Sequence, residues 1–438
     1  MSPEDTTQPV EPLEPADADF LLTNAGRLVT CTGTLGGGRL GVIEDGALAA
    51  RAGEIVWVGS RSAAGEAVAL EPGATLVDAD GRAVLPGFVD CHTHLVFAGD
   101  RSAEFAARLR GERYTSGGVR TTVAATRAAT TAELRALARA RLDRFASFGV
   151  TTVEAKSGYG LTPDNERRLL EVASTLDHPV RVVPTFMGAH VVPEQFEDDV
   201  DEYVNLVTTT MLDACAPLAT FADVWCDPGA FTADQGRRIL RAAIDRGLKP
   251  KVHAEQLAHT GAARMAAAVG AVSADHLEHV TWDDAVALAR AGTVAVALPG
   301  ASLMTGGPFA PARLLLERGV RVALSTDFNP GTSYTENLQL MVPLACVHLK
   351  MTPEEAILGI TSVAAAALGL DGTVGSLQPG ARADLVVLDA RSELDLAYHY
   401  GVNLAARVFV AGKEVKGFQP VAVPAVRPGR RPRGGARG

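Results

Sequence analysis

Two histidines separated by one residue, His92 and His94, close the apolar run GFVDCHTHL. Side chains alternate across an extended strand with a period of two, so both imidazoles fall on one face and can reach one metal ion. An HxH pair alone is equally consistent with two half-buried polar residues. Three more residues tip the balance: His253 ends KPKVHAEQ, His276 ends AVSADHLEH, and Asp327 ends VRVALSTDFN. Imidazole nitrogen and carboxylate oxygen are the donors that zinc and iron accept, and three histidines with one aspartate leave a coordination position open for water. Such a set suits hydrolysis, because a metal of this kind lowers the pKa of water towards ~7.

These residues are far apart in the sequence, so the fold must gather them. The middle of the chain alternates short β-rich runs with amphipathic segments such as TAELRALARARLDRFASFG, where Leu134, Leu137, Ala138, Arg141 and Leu142 recur at helical spacing. Repeated βα units imply a parallel sheet. Eight runs read as its strands: GFVDCHTHL, GVTTVEAKSG, VRVVPTFMGAH, FADVWCDPG, KPKVHAEQ, AVSADHLEH, GTVAVALPGA and VRVALSTDFN. Eight is the number that closes a TIM (β/α)8 barrel, whose chemistry sits at the C-terminal ends of the strands. His92, His94, Lys156, His190, His253, His276 and Asp327 all lie at such ends. The expected fold is therefore α/β, with the barrel spanning 86–370. On either side, 20–85 and 371–423 carry short β runs broken by Gly and Asp, which fit one small composite β-sandwich built from both flanks. Residues 1–19 and 424–438 are Pro-rich with Glu and Asp or with Gly and Arg, and are expected to be disordered tails.

Composition narrows the class of partner. The chain has 438 residues, 47% of them hydrophobic, enough for a large core. A formal net charge of −10 argues against nucleic acid or an anionic membrane, and the Arg-rich end reads as a solvated terminus. A small-molecule substrate is expected. The cysteines Cys31, Cys91, Cys215, Cys226 and Cys346 are scattered, without CxxC spacing, and read as reduced core residues. No apolar run reaches the ~18 residues of a membrane span and the acidic start lacks a signal peptide, so a cytoplasmic protein is expected.

The stretches PGFVDCHTH, KVHAEQ, SADHLEH and LSTDFNPGT, in that order, resemble the amidohydrolase superfamily over roughly residues 20–420. Members with two metals need a carbamylated lysine at the end of the fourth strand, where this chain has Cys226 and Asp227; one Zn²⁺ or Fe²⁺/Fe³⁺ per chain is expected, and Lys156, on the second strand, reads as structural or substrate-side. Within the superfamily, HTHLVFAGDRSAEFAARLRG, VEAKSGYGL, FMGAHVVP, HAEQLAHTGAA and TDFNPGTS are similar to the imidazolonepropionase family of histidine degradation. That resemblance implies hydrolysis of the cyclic amide of 4-imidazolone-5-propanoate to N-formimidoyl-L-glutamate. It implies His92, His94, His253 and Asp327 as metal ligands, and Arg101, Tyr159, His190, Gln256, Asn329, Gly331 and Thr332 as substrate or product contacts. A homodimer is also expected, being common among such barrels.

The implied roles fit the side chains. Asp327 can take the water proton and pass it to the ring nitrogen. His276 can hold the hydroxide or the developing oxyanion. Arg101 can offer a bidentate guanidinium to the propanoate. Some family members carry a carboxylate at the position of Gln256; an amide has no useful basicity, so Gln256 can only orient substrate, and Glu255 should face the other way. Two further readings compete: a mononuclear deaminase of a purine or pyrimidine base, which would have no use for a carboxylate clamp, and a non-catalytic barrel scaffold, which would be expected to have lost metal ligands.

Overall fold

The computed structural model describes residues 14–111 and 118–415. The expected tail at 424–438 and most of that at 1–19 lie outside them. The first five strands are β1 (Ala16–Val29), β2 (Val42–Arg51), β3 (Glu54–Ser60), β4 (Val68–Asp78) and β5 (Ala83–Pro86). The barrel strands follow: β6 (Phe88–Asp90), β7 (Val150–Lys156), β8 (Arg181–Ala189), β9 (Phe221–Cys226), β10 (Lys249–Ala254), β11 (Ser273–His276), β12 (Val294–Ala297) and β13 (Val322–Leu324). After them come β14 (Leu385–Leu388), β15 (Ala405–Val410) and β16 (Lys413–Glu414).

All eight expected barrel strands are present, in the order β6 to β13, each parallel to the next. The ring is drawn shut beyond the ends of β6 and β13. Thr93 bridges Phe328, and the His94 N–H donates to the Phe328 carbonyl at 2.9 Å. Below this, buried Asp90 accepts from the Ser325 hydroxyl, the Thr326 hydroxyl (2.7 Å) and the Thr326 N–H (3.2 Å). Burial pushes the Asp90 carboxyl up to about 6 against the pull of these donors.

The flanking strands form one hydrogen-bonded sheet, β16-β15-β14-β5-β1-β2-β3, with β4 also paired to β1. It joins both sides of the barrel: β5 lies parallel to β1 and antiparallel to β14, with Pro86 opposite Leu385. Phe20, Leu22, Leu48, Ile55, Val77, Val84, Leu385 and Phe409 share one core, so the small composite domain expected from both chain ends is present, its strands joined in one hydrogen-bonded sheet over that core. Its first strand starts before residue 20, where the tail was expected to end. Ala18, Phe20 and Leu22 alternate inward, while Asp17 lies 3.5 Å from Arg51 and Asp19 accepts the Ala52 N–H. The acidic residues that suggested a tail are the outward half of a strand.

Three helices after β6 shape the site entrance: α1 (Ser102–Leu109), α2 (Val119–Ala128) and α3 (Thr131–Ser147). A capping box between Thr130 and Glu133 starts α3. Its inward stripe contains Arg141, which is buried, stacks 3.6 Å over Phe97 and donates to the carbonyls of Leu95 and Phe97. The residue that looked polar within an apolar period thus fastens the segment just after His94. All five cysteines are free, and among the described residues no helix is long and apolar enough to cross a membrane.

Candidate active site

The C-terminal ends of the barrel strands bring the sequence candidates together. His92, His94 and Asp327 each place a donor atom within 4.8 Å of the others, and so do His92, His253 and His276. Asp327 Oδ1 is 3.4 Å from His92 Nε2 and 3.9 Å from His94 Nε2. All five residues are buried. Glu255, His276, Leu277 and Asp327 have φ of 55°, 77°, 70° and 50°, the left-handed region that non-glycine residues avoid. Such strain gathers where a side chain must be aimed, and here it turns the chain at three strand ends around one point.

The donor set fits a metal ion. His92 Nδ1 lies 2.6 Å from Asp275 Oδ2; the carboxylate can only accept, so the proton sits on Nδ1 and Nε2 faces the cluster with a free lone pair. His92 Nε2 has no hydrogen-bond partner among the described residues, a costly state for a buried nitrogen unless a cation takes the lone pair. Burial, then the Lys156 charge, holds the His92 imidazole well below its usual range; burial and His190 do the same for His94. Both are therefore neutral, the form that binds metal. His276 behaves differently. Burial opposes its protonation, but Glu278, Asp327 and Asp227 outweigh burial and lift it to about 9. Its Nδ1 is 3.3 Å from Glu278 Oε1.

A narrow cavity is lined by His94, Arg101, Tyr159, His190, Trp225, His253, Gln256, His276, Asp327, Asn329 and Thr332. A wider one of about 470 Å³, containing none of the histidines, shares Arg101 and Thr332 with it and includes Gly331. Every substrate-side candidate from the sequence thus lines one of these two spaces. His190 stacks on His94 with ring centroids 5.0 Å apart, and its Nδ1 donates to the Gly158 carbonyl at 3.0 Å. Burial drives its imidazole down to about 3. Asp227 accepts the N–H groups of Gln256, Leu257 and Ala258 and so fixes the loop that presents Gln256. Glu255 faces away as expected, accepting the Thr260 and Ala263 N–H groups.

Two candidates differ in detail from expectation. Asn329 lines the cavity, but its amide donates to the Asp327 carbonyl and Thr332 Oγ1 and accepts from the Gly331 and Thr332 N–H groups. Both donors and both lone pairs are engaged, so Asn329 shapes the loop that carries Asp327 and Thr332 instead of reaching for a ligand. Arg101 holds Glu104 with two parallel bonds, Nε to Oε2 at 2.8 Å and Nη2 to Oε1 at 2.7 Å. A Cβ on Gly118 or Gly331 would collide with the Arg101 guanidinium, so the two glycines form its cradle.

Sequence reasoning missed the supports beneath the cluster. Asp275 holds His92, and Asp223 Oδ2 stands 3.0 Å from His253 Nδ1. Lys156 is not at the rim. Its ammonium lies inside the barrel, 2.6 Å from Asp223, 2.9 Å from Glu154 and 3.4 Å from Asp275. Trp225 was also passed over, although its indole lines the cavity and its buried Nε1 has no hydrogen-bond partner among the described residues. The remaining histidines stay outside the cluster: His178 pairs with Asp143, His259 with Asp284, and His348 stacks on Phe309.

Known proteins agree with this architecture. A family model described as the amidohydrolase family matches residues 83–415. Solved structures at low identity share the fold. They include a zinc-bound adenosine deaminase from Xanthomonas campestris (TM-score 0.69, 20% identity, 91% of this chain and 93% of that one) and a triazine hydrolase from Arthobacter aurescens (TM-score 0.69, 19% identity, 90% and 94%). Similarity to curated sequences is much stronger. The imidazolonepropionase of Mycolicibacterium smegmatis is 49% identical over 90% of this chain and 97% of its own length, and that of Streptomyces coelicolor 48% over 90% and 98%. With these matches covering 90% of the chain, it belongs to the imidazolonepropionase family of amidohydrolases.

Proposed function

We propose that this chain hydrolyses 4-imidazolone-5-propanoate, opening the ring amide to N-formimidoyl-L-glutamate. The observation that carries the reading is that one cavity is lined by His94, His253, His276, Asp327 and Arg101, with buried His92 behind it, its donor atoms grouped within 4.8 Å both with those of His94 and Asp327 and with those of His253 and His276. One zinc or iron ion per chain, held by those three histidines and Asp327, would supply a water of lowered pKa and polarise the ring carbonyl. Asp327 then takes the water proton. Its carboxylate can accept that proton and release it to the departing nitrogen. Thr332 holds its Oδ2 at 3.2 Å. Protonated His276, with Nδ1 directed at Glu278, presents Nε2–H to the developing oxyanion, a contact worth ~3 kcal/mol in other hydrolases. His190 is neutral and has its proton on Nδ1, so its Nε2 can accept from a ring N–H. Gln256 orients the ring, and Arg101 binds the propanoate carboxylate.

A neutral purine or pyrimidine base offers nothing to Arg101, which favours the propanoate reading over deamination. The test is product identification after incubating the purified holoenzyme with freshly generated imidazolone propanoate. Ring-opened formimidoyl glutamate is expected. Guanine or cytosine releasing ammonia at a comparable rate, or a neutral propanamide analogue reacting as fast as the acid, would overturn it. Elemental analysis should find about one ion per chain. Two tightly held ions, or activity surviving exhaustive chelation, would refute the single-metal reading.

A further inference from the structure

Beneath the active-site cluster, inside the barrel, lies a layer of buried charge that the proposed reaction does not use. Glu154, Asp223 and Asp275 are fully buried there, together with Lys156 and Lys251. Lys251 Nζ is 2.9 Å from Glu154 Oε1 and donates to the Cys91 carbonyl at 3.0 Å. Lys156 Nζ touches all three carboxylates, at 2.6, 2.9 and 3.4 Å. Two further metal-like groupings exist at this level: His92 with Glu154 and Asp275, and Asp223 with His253 and Asp275, each with donor atoms within 4.8 Å of one another. Asp223 Oδ1, wholly buried, has no hydrogen-bond partner among the described residues.

We infer that this layer is a latent second divalent-cation site, which the Lys156 ammonium fills and thereby keeps closed. The argument rests on the single-metal reading above and explains how the chain enforces it. Three carboxylates in a low-dielectric interior demand positive charge, since an unpaired buried anion costs several kcal/mol. Lys251 is held to one side, on Glu154 and a main-chain carbonyl. Lys156 alone bridges Glu154, Asp223 and Asp275, standing where a cation would bind their oxygens. A divalent ion arriving there would have to displace a covalently attached charge, or share the space with it against like-charge repulsion. Without Lys156, three carboxylates face one ammonium, and a divalent ion balances the difference with the carboxylate oxygens that converge on the Lys156 Nζ position. Zinc and manganese both accept carboxylate oxygens.

The test uses Lys156→Met and Lys156→Gln in the full chain, expressed with zinc in the medium and purified with their metal. Each variant is expected to hold two ions per chain by elemental analysis where the parent holds one. Anomalous scattering should place the additional ion among Glu154, Asp223 and Asp275, and its removal by dialysis should lower the Tm of the variants and not of the parent. Variants that fold and retain one ion overturn the inference. So does failure of both to fold with zinc present, because the ion is expected to replace the lost ammonium. A parent with two ions instead refutes the single-metal reading, so the two failures are distinguishable.

Discussion

Replacing Arg101 by alanine should do more damage than loss of a substrate contact alone. A charge-assisted pair with the propanoate is worth about 1.5–3 kcal/mol, or roughly a 10- to 150-fold loss in kcat/KM. The structure adds a second effect. Glu104 is bound to Arg101 through both carboxylate oxygens and its side chain is only 27% exposed, so removing the guanidinium leaves an anion beside the place where the substrate carboxylate must sit. At about 6 Å and an effective dielectric near 20, two unit charges repel by roughly 3 kcal/mol, and solvent screening at a partly open site cuts this to about 1.5 kcal/mol. The combined loss is therefore about 10²- to 10³-fold, mostly in KM if the carboxylate is held equally in the ground and transition states. Adding Glu104→Gln to Arg101→Ala should recover about tenfold, and the two single variants and the double variant complete a cycle that isolates the coupling. Steady-state kinetics at matched metal content is the assay. A double variant no better than Arg101→Ala refutes the orphaned-anion argument, and a loss confined to kcat refutes the clamp.

Asp275→Asn should weaken metal binding by about 10- to 100-fold, because the amide no longer fixes the His92 tautomer; chelator competition measures it, and an unchanged affinity would show that His92 needs no such support. Asp327→Asn should lower kcat by at least ~10²-fold in a sample whose metal content is measured alongside; nearly full activity with metal retained would assign the base elsewhere. Burial tends to raise the Glu355 carboxyl, but Arg313, the Thr352 N–H and Arg39 hold it down at about 2. A depressed carboxylate contributes stability that is present above its unfolded value of about 4.3 and lost as pH falls through its folded one. Urea unfolding of the parent should therefore weaken between pH 4.5 and 2 by more than that of Glu355→Gln, which should already be about 1–3 kcal/mol less stable at pH 7; parallel pH profiles would refute this.

The barrel and the metal cluster were legible because period-two alternation and strand-end position constrain them strongly. The layer below was not read, although the same rule reaches it. Asp90 and His92, Glu154 and Lys156, Asp223 and Trp225, Lys251 and His253, and Ser273 and Asp275 are all i, i+2 pairs on barrel strands or their immediate extensions. Stepping back two residues from Trp225 and His253 gives Asp223 and Lys251 of the interior layer, whereas Lys156 and Asp275 belong to that layer themselves. What alternation cannot supply is which carboxylate meets which cation across the ring, since that depends on the stagger of neighbouring strands. His253, for example, lies opposite Asp275 on one side and Trp225 on the other. The pairing of Arg101 with Glu104 follows from an i, i+3 spacing on a helix and was open to inspection, but the two glycines that cradle it come from distant loops. Asp17 and Asp19 misled because acidic composition was weighed before alternation.

The small sheet carries a consequence for how the chain is made. Its β5 edge has only four residues and finds its antiparallel partner in β14, with the entire barrel threaded between Pro86 and Leu385. As the polypeptide leaves the ribosome, β1 to β5 can pair among themselves early, but the far edge of β5 stays open until the barrel has been synthesised. Closing so long a loop from a disordered chain is slow and entropically unfavourable, whereas a folded barrel delivers β14 to within pairing distance and shortens the search. The brevity of β5 limits its hazard as an unpaired edge during that wait. A formed barrel thus favours completion of the sheet, since it holds the two partners of that last seam, β5 and β14, close together.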